Sequence, residues 1–336
     1  MKHSVTLIPG DGIGFEIVEA VQAVFEAANA GIEWEIEAAG EKALKEKGIL
    51  VPDSLVQSIK KNKIALKGPL ATPIGKGFKS VNIQLRQLFN LYSNIRPCKS
   101  IAGVNSRFEN VDLVIIRENT EGLYSGLELF DERLKISDSI ARVTEAGCNQ
   151  IVQAAFEFAR RNNRKRVTIV HKANILKSAG ALMLEAGEKA KVDFPEIELD
   201  NYIMDNMCMQ LVVKPEKFDV IVTTNLFGDI LSDLCAGLIG GLGLVAGSNF
   251  GKEIAIFEAV HGTAPDIAGK GIANPTALLK SAIMMLAYMG KQTLAEKIEK
   301  AVHITLADKN QRTGDLGGIA TTKEFTNNII SNLNKI

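Results

Sequence analysis

At 336 residues the chain can form one large domain or two ordinary ones, each with its own core. Its residues are 46% hydrophobic and 23% charged, the profile of a globular protein, and its 39 basic side chains are balanced by 39 acidic ones. A net charge of zero argues against nucleic acid or an anionic membrane as partner, and the longest uncharged run, Leu234–Gly251, is broken by six glycines and makes a poor membrane span.

Cys98, Cys148, Cys208 and Cys235 are scattered, with no C-x-x-C pair, and read as reduced thiols. With no signal segment recognised ahead of Ser4, the expected location is cytoplasmic.

Along the chain, short β-rich runs alternate with helical patterns. "SVTLI" at Ser4–Ile8 reads as a strand and Ile13–Ala28 as a helix, with Ile13, Ile17, Ala20, Val21 and Val24 at helical spacing. "EWEIEA" alternates as a strand, and Asp53–Lys61 reads as a helix with Asp53 or Ser54 near its cap. Further strands are predicted at Lys63–Leu66, Val111–Ile116, Arg166–Val170, Phe218–Val222 and Ile254–Phe257. Helices are predicted at Thr144–Arg161, Ala179–Lys191, Asn274–Met289 and Gln292–Leu306. The pattern predicts an α/β fold with a largely parallel sheet. Leu123–Val143 breaks the alternation: it has strand-like pieces and no crossover helix, which suggests an antiparallel arm able to pair with another chain.

The opening "LIPGDGIGFE" places glycines at 10, 12 and 14 between strand and helix. A dinucleotide fingerprint needs G-x-G-x-x-G, and here Phe15 stands where the last glycine belongs. The turn reads as a tight connection, and the cofactor site is to be sought elsewhere.

Six later stretches carry chemistry. "FKSVNIQLRQLFNLYSNIRP" and "VIIRENTEGLYSG" offer Ser80, Asn82, Arg86, Arg96, Arg117 and Tyr124, and three planar guanidinium forks suggest a small polyanionic substrate. "HKANILKSAG" places Lys172 just after a strand, where α/β proteins hold ligands. In "NLFGDILSDLCAGL", Asp229 and Asp233 lie one turn apart on a helix with no other evident use for two acids, as hard-cation ligands would. Asp205 in "YIMDNMCMQ" is a third acid, which alone would pass for a helix cap. "FEAVHGTAPDIAGKGIANPTA" is an irregular loop too long to be a mere connection.

Together these stretches, with the opening "IPGDGIG", resemble the β-decarboxylating dehydrogenases, the isocitrate and 3-isopropylmalate dehydrogenase family, over nearly the whole chain. "NLFGDILSDLCAGLIGGLG" and "VHGTAPDIAGKGIANPTA" look most like the NAD-dependent isocitrate dehydrogenases. The resemblance implies a two-domain α/β/α fold that is not a Rossmann fold. Residues 1–96 and 240–336 would form the large domain and 97–239 the small one, with a clasp arm near 123–143 at a homodimer interface. It implies a tricarboxylate bound by Ser80, Asn82, Arg86, Arg96 and Arg117. Mg²⁺ or Mn²⁺ would be held by Asp229 and Asp233, with Asp205 from the partner chain, and Tyr124 with the partner's Lys172 would form the acid–base pair. NAD would lie against His261, Gly262, Thr263, Ala264, Asp266, Ile267 and Asn274, with Thr72 nearer the nicotinamide.

Polar Ser80 and Asn82 favour isocitrate over an apolar isopropyl group, whereas homoisocitrate, one methylene longer, is harder to exclude. Asp266 would accept ribose hydroxyls and repel a 2′-phosphate, which favours NAD over NADP. The alternatives are a homoisocitrate or 3-isopropylmalate dehydrogenase, or a non-catalytic regulatory subunit of a hetero-oligomer; the last is expected to lack members of the catalytic set, all of which are present here.

Overall fold

The computed structural model describes residues 3–71 and 79–336. The N-terminal part runs β1 (His3–Ile8), α1 (Gly14–Ala27), β2 (Ile32–Ile36), α2 (Gly40–Lys47), α3 (Asp53–Asn62), β3 (Ile64–Lys67), α4 (Val81–Leu88) and β4 (Ser93–Lys99). The middle contributes β5 (Asp112–Glu118), β6 (Gly122–Asp131), β7 (Ile136–Arg142), α5 (Glu145–Arg161), β8 (Arg166–His171), α6 (Lys177–Asp193), β9 (Glu198–Ile203) and α7 (Met204–Val213). The rest is β10 (Val220–Thr223), α8 (Asn225–Leu238), β11 (Ala246–Phe250), β12 (Ala255–Ala259), α9 (Thr276–Tyr288), α10 (Gln292–Ala307) and α11 (Thr322–Leu333).

Ten strands form one sheet in the order β2-β1-β3-β12-β11-β4-β5-β10-β8-β9. The flanks are parallel, as the alternation predicts, but β12–β11, β11–β4 and β4–β5 are antiparallel. The left flank therefore runs opposite to the right one, and β11 and β4 form the seam. The left half takes its strands from both ends of the chain and the right half from the middle.

Strand alternation builds a three-layer core. On β5, Leu113 and Ile115 join the apolar cluster beneath α1, α8, α9 and α10, while Val114 and Ile116 face α5 and α6 on the other side. A third cluster, with Ile8, Ala65 and Ile256, packs under α3 and α4. Helix starts follow local chemistry: Thr144 caps α5 by accepting the Gly147 N–H at 3.0 Å, and Thr321 and Glu324 form a capping box on α11. At α3 the cap residue is Pro52, with Asp53 next to it at the first helical position, and the Ser54 hydroxyl donates to Glu37 at 2.8 Å.

Strands β6 and β7 form a separate antiparallel ribbon over the predicted arm, with Leu129, Phe130, Ile136 and Ile140 exposed. Among the described residues all four cysteines are free, and no helix is long and apolar enough to cross a membrane.

Candidate functional site

Helix α8 sets the acidic side of the site. Asp229 and Asp233 stand one turn apart, facing β4 and β5. Asp229 already has a use as the counter-ion of Arg117: the guanidinium pairs with Oδ1, and its Nε and Nη2 donate to Asn225 Oδ1 at 3.1 and 2.7 Å. Gly228 permits this approach, because a Cβ there would fall 2.5 Å from Arg117 Cγ. The Tyr124 hydroxyl donates to Asp229 Oδ2 at 2.5 Å. Burial pushes the Asp229 carboxyl up, but Arg117 and Tyr124 outweigh it and hold it below the usual range. Burial raises Asp233 in the other direction, Arg96 opposes that and the Asp229 charge adds to it.

The basic side comes from three elements. Arg86 on α4, Arg96 on β4 and Arg117 on β5 are 8%, 5% and 1% exposed, and all three line one cleft of about 320 Å³. Arg96 Nη1 lies 3.6 Å from Asp229 and 3.7 Å from Asp233, and donates to Ser232 Oγ at 2.6 Å. Burial first, then the neighbouring Arg86 and Arg96, lower Arg117 to about 10 against the opposing pull of Asp229. Ser80 and Asn82 border the same cleft, and the Asn82 Oδ1 is buried with no hydrogen-bond partner. An orphaned acceptor beside three guanidinium groups fits a polar, anionic ligand that carries a donor.

Sequence reasoning missed Lys67 and Glu258, which face each other across β3 and β12 at 2.8 Å beneath the cleft. Glu258 also lies 3.7 Å from Arg86. Burial alone would raise its carboxyl, yet Lys67 and Arg86 bring it down to about 2. The available signal was a charged residue inside each of two apolar strands, "IALK" and "AIFEA".

The loop after β12 is held against the opening turn. Ile13 N–H donates to Thr263 O at 3.0 Å, and a Cβ at Gly12 would sit 2.1 Å from that oxygen. Gly12 therefore serves backbone approach to this loop, whereas Gly10 and Gly14 make room for the backbone of Pro69 and Pro9. His261 Nδ1 faces the Gly262 carbonyl at 3.0 Å, so it carries the proton, and Nε2 is left a buried acceptor without a partner. Burial keeps this imidazole below its ordinary pKa. Beside it Gly262 has open space, and Ala264 takes a left-handed φ of 41°. Asp266 is exposed, Ile267 N–H turns back to Ala264 O, and Asn274 braces the loop by donating to Asp315 at 2.9 Å. An unsatisfied acceptor above an open glycine fits a flat ligand with N–H donors, as an adenine has. Thr72 lies outside the described residues.

Lys172 and Asp205 form their own pair, Nζ to Oδ1 at 2.6 Å, at the end of β8 and the first turn of α7. Lys172 opens on a second cavity of about 140 Å³ with Leu123, Leu176, Met183 and Phe227, not on the arginine cleft. Among the described residues no three His, Cys, Asp or Glu side chains of one chain converge as a metal set. Asp229 and Asp233 present two hard carboxylates on one face, with the Asp233 side chain 57% exposed. That donor pair suits a divalent cation whose remaining shell comes from elsewhere.

A family model described as isocitrate/isopropylmalate dehydrogenase matches residues 4–329. Isocitrate dehydrogenase (NAD) subunit 2, mitochondrial, of Schizosaccharomyces pombe is 48% identical, covering 99% of this chain and 88% of its own length. A mitochondrial isocitrate dehydrogenase (NAD) chain of Dictyostelium discoideum, named there as a regulatory subunit, is 49% identical over 98% of this chain and 92% of its own. Among solved structures, the crystal structure of isocitrate dehydrogenase from Methylococcus capsulatus superposes with a TM-score of 0.96 at 50% identity, covering 98% of this chain and 99% of that one.

Proposed function

This chain belongs to the isocitrate/isopropylmalate dehydrogenase family, and from that premise we propose that it oxidises isocitrate with NAD⁺ and releases CO₂ to give 2-oxoglutarate. The observation that carries the reading is the convergence of buried Arg86, Arg96 and Arg117 on one cleft with the orphaned Asn82 oxygen and the Asp229–Asp233 pair. A tricarboxylate supplies the negative charge those cations lack.

In this reading Arg86, Arg96 and Arg117 clamp the substrate carboxylates, and Ser80 and Asn82 hydrogen-bond the one that distinguishes isocitrate from an apolar relative. Asp229 and Asp233 hold Mg²⁺ or Mn²⁺, with Asp205 from the partner chain. His261, Gly262, Thr263, Ala264, Asp266, Ile267 and Asn274 border NAD. When bound, the cation supplies Lewis acidity toward the substrate hydroxyl and the oxygen left by decarboxylation, and NAD⁺ accepts the hydride. The partner's Lys172 takes the hydroxyl proton as the C2–H bond breaks, and Tyr124 returns a proton to C3 after CO₂ has left. Burial and its bond to Asp229 raise the Tyr124 phenol, so it enters that step protonated.

The 97–239 segment serves as the small domain, and the exposed ribbon of β6 and β7 is the surface through which two copies pair. Relatives of this chain are named as subunits, one of them regulatory. Tyr124, Lys172, Asp205, Asp229 and Asp233 are all present here, which favours a catalytic chain. The same relatives carry the word mitochondrial in their names, so they lend no support to the cytoplasmic expectation.

Initial rates for isocitrate, homoisocitrate and 3-isopropylmalate, each with NAD and NADP and with Mg²⁺ or Mn²⁺, test the assignment. The expected outcome is fastest turnover of isocitrate with NAD and none after exhaustive chelation. Faster oxidation of either other acid overturns the substrate assignment, and an inactive purified chain overturns the catalytic one.

A further inference from the structure

The central seam of the sheet carries polar side chains where a core strand is ordinarily apolar. Asn249 on β11 is 2% exposed and uses its whole amide. Its Oδ1 accepts from Asn94 Nδ2 and from Asn119 Nδ2, both at 2.9 Å. Its Nδ2 donates to Ile256 O at 3.2 Å and to Glu258 Oε1 at 2.8 Å. The last two groups only accept, so this amide has a single workable orientation.

Asn94 is fixed in turn. Its Oδ1 receives Arg96 Nε at 2.7 Å, and a guanidinium only donates. The bonds therefore run one way, from the Arg96 guanidinium through Asn94 and Asn249 to the Glu258 carboxylate. Each amide dipole points in the same sense between a fixed cation and a fixed anion, so every bond in the series strengthens its neighbours. Glu258 holds Lys67 at 2.8 Å and stands 3.7 Å from Arg86. The relay crosses β4, β11 and β12, the strands where the sheet reverses direction.

We propose that Asn249 is a positioning residue for substrate binding: through Asn94 it fixes the guanidinium plane of Arg96, and through Glu258 it holds Arg86, so that the clamps on β4 and α4 keep one spacing. This rests on the isocitrate reading above. The role touches no reacting atom; a bidentate clamp loses most of its hold when its planar fork rotates.

Asn119 provides the control. It donates to the same Asn249 oxygen and to Leu91 O at 2.9 Å, and bonds no arginine. Asn94→Ala, Asn119→Ala and the isosteric Asn249→Asp, which keeps the acceptor but sets a second carboxylate against Glu258 in place of the donor, are assayed beside the unaltered enzyme for kcat, both KM values and Tm. Asn94→Ala and Asn249→Asp should raise the KM for isocitrate about tenfold, the loss of one charge-assisted hydrogen bond. Their kcat and KM for NAD should stay within about threefold, a smaller change than that one bond accounts for. Asn119→Ala should lower Tm without moving the KM for isocitrate. Should Asn249→Asp fail to fold, the Asn94 and Asn119 pair decides alone. Equal isocitrate KM values for those two variants overturn the relay, as does an unmoved KM in a folded Asn249→Asp. An unaltered enzyme that ignores isocitrate sinks the functional reading instead.

Discussion

The Tyr124 hydroxyl stands 2.5 Å from Asp229 Oδ2, while Arg117 grips the other oxygen of the same carboxylate and lies 5.0 Å from the phenol ring centre. One aspartate thus orients the proposed acid and neutralises a substrate-binding cation. Tyr124→Phe removes the proton donor and keeps the ring over Arg117. We expect kcat to fall about 100-fold, with the KM for isocitrate little changed. A kcat near that of the unaltered enzyme would take Tyr124 out of the proton transfer.

Glu258 makes the stability of the protein pH-dependent. Its carboxyl is held at about 2, below the ordinary 4.5, despite burial and because of Lys67 and Arg86. A group depressed in the folded state contributes stability above its unfolded pKa and loses it as pH falls toward the folded value. Between pH 4.5 and about 2 the folded protein should therefore lose about 3 kcal/mol from this group. Glu258→Gln leaves Lys67 and Arg86 without a counter-charge and should be less stable at neutral pH, with the gap to the unaltered chain closing toward pH 2. Urea titrations at stepped pH measure it; a constant gap would contradict the ion pair's role.

Lys172 and Asp205 lie together, and neither lines the arginine cleft. If two copies complete each site, Lys172→Met and Asp233→Asn should each inactivate a homodimer. Refolding an equimolar mixture then gives mixed dimers with one intact and one doubly altered site, and about a quarter of full activity returns. A mixture as inactive as its components would mean that the sites are not shared.

Asp266 is exposed on the loop that the opening turn braces. Asp266→Lys replaces a carboxylate that repels a 2′-phosphate with a cation that attracts it. The NAD-to-NADP ratio of kcat/KM should fall at least about tenfold, the scale of one charge-assisted contact, and an unchanged ratio would remove Asp266 from the cofactor site.

Much of the fold was legible from residue order alone. The inner parallel strands read clearly because they are largely apolar, β2 through its alternation, and the helices between them through an apolar stripe, whereas the edge strand β9, "ELDNYI", carries no apolar run to mark it. The arm over residues 123–143 stood out for the opposite reason, a strand-like pattern with no helix to carry a crossover. The site's arginines, aspartates and loop were legible as types at positions, and their grouping came from resemblance to a family.

Strands β4 and β11 gave no such signal. Asn94, Arg96, Ser248 and Asn249 sit in "SNIRPCK" and "AGSNF", so neither stretch shows the apolar alternation that marks a strand. Periodicity reports how a segment meets an apolar core. It is silent where buried groups satisfy one another across strands that lie 155 residues apart, as Asn94 and Asn249 do. The sequence by itself therefore determined the layers, the flanking strands other than β9, and the inventory of reactive side chains. Only the tertiary structure decided that the sheet reverses at β11 and β4, that Lys67 and Glu258 are buried together, and that Arg96 is tied to Glu258 through two amides. Those pairings depend on long-range strand register, which local pattern does not encode.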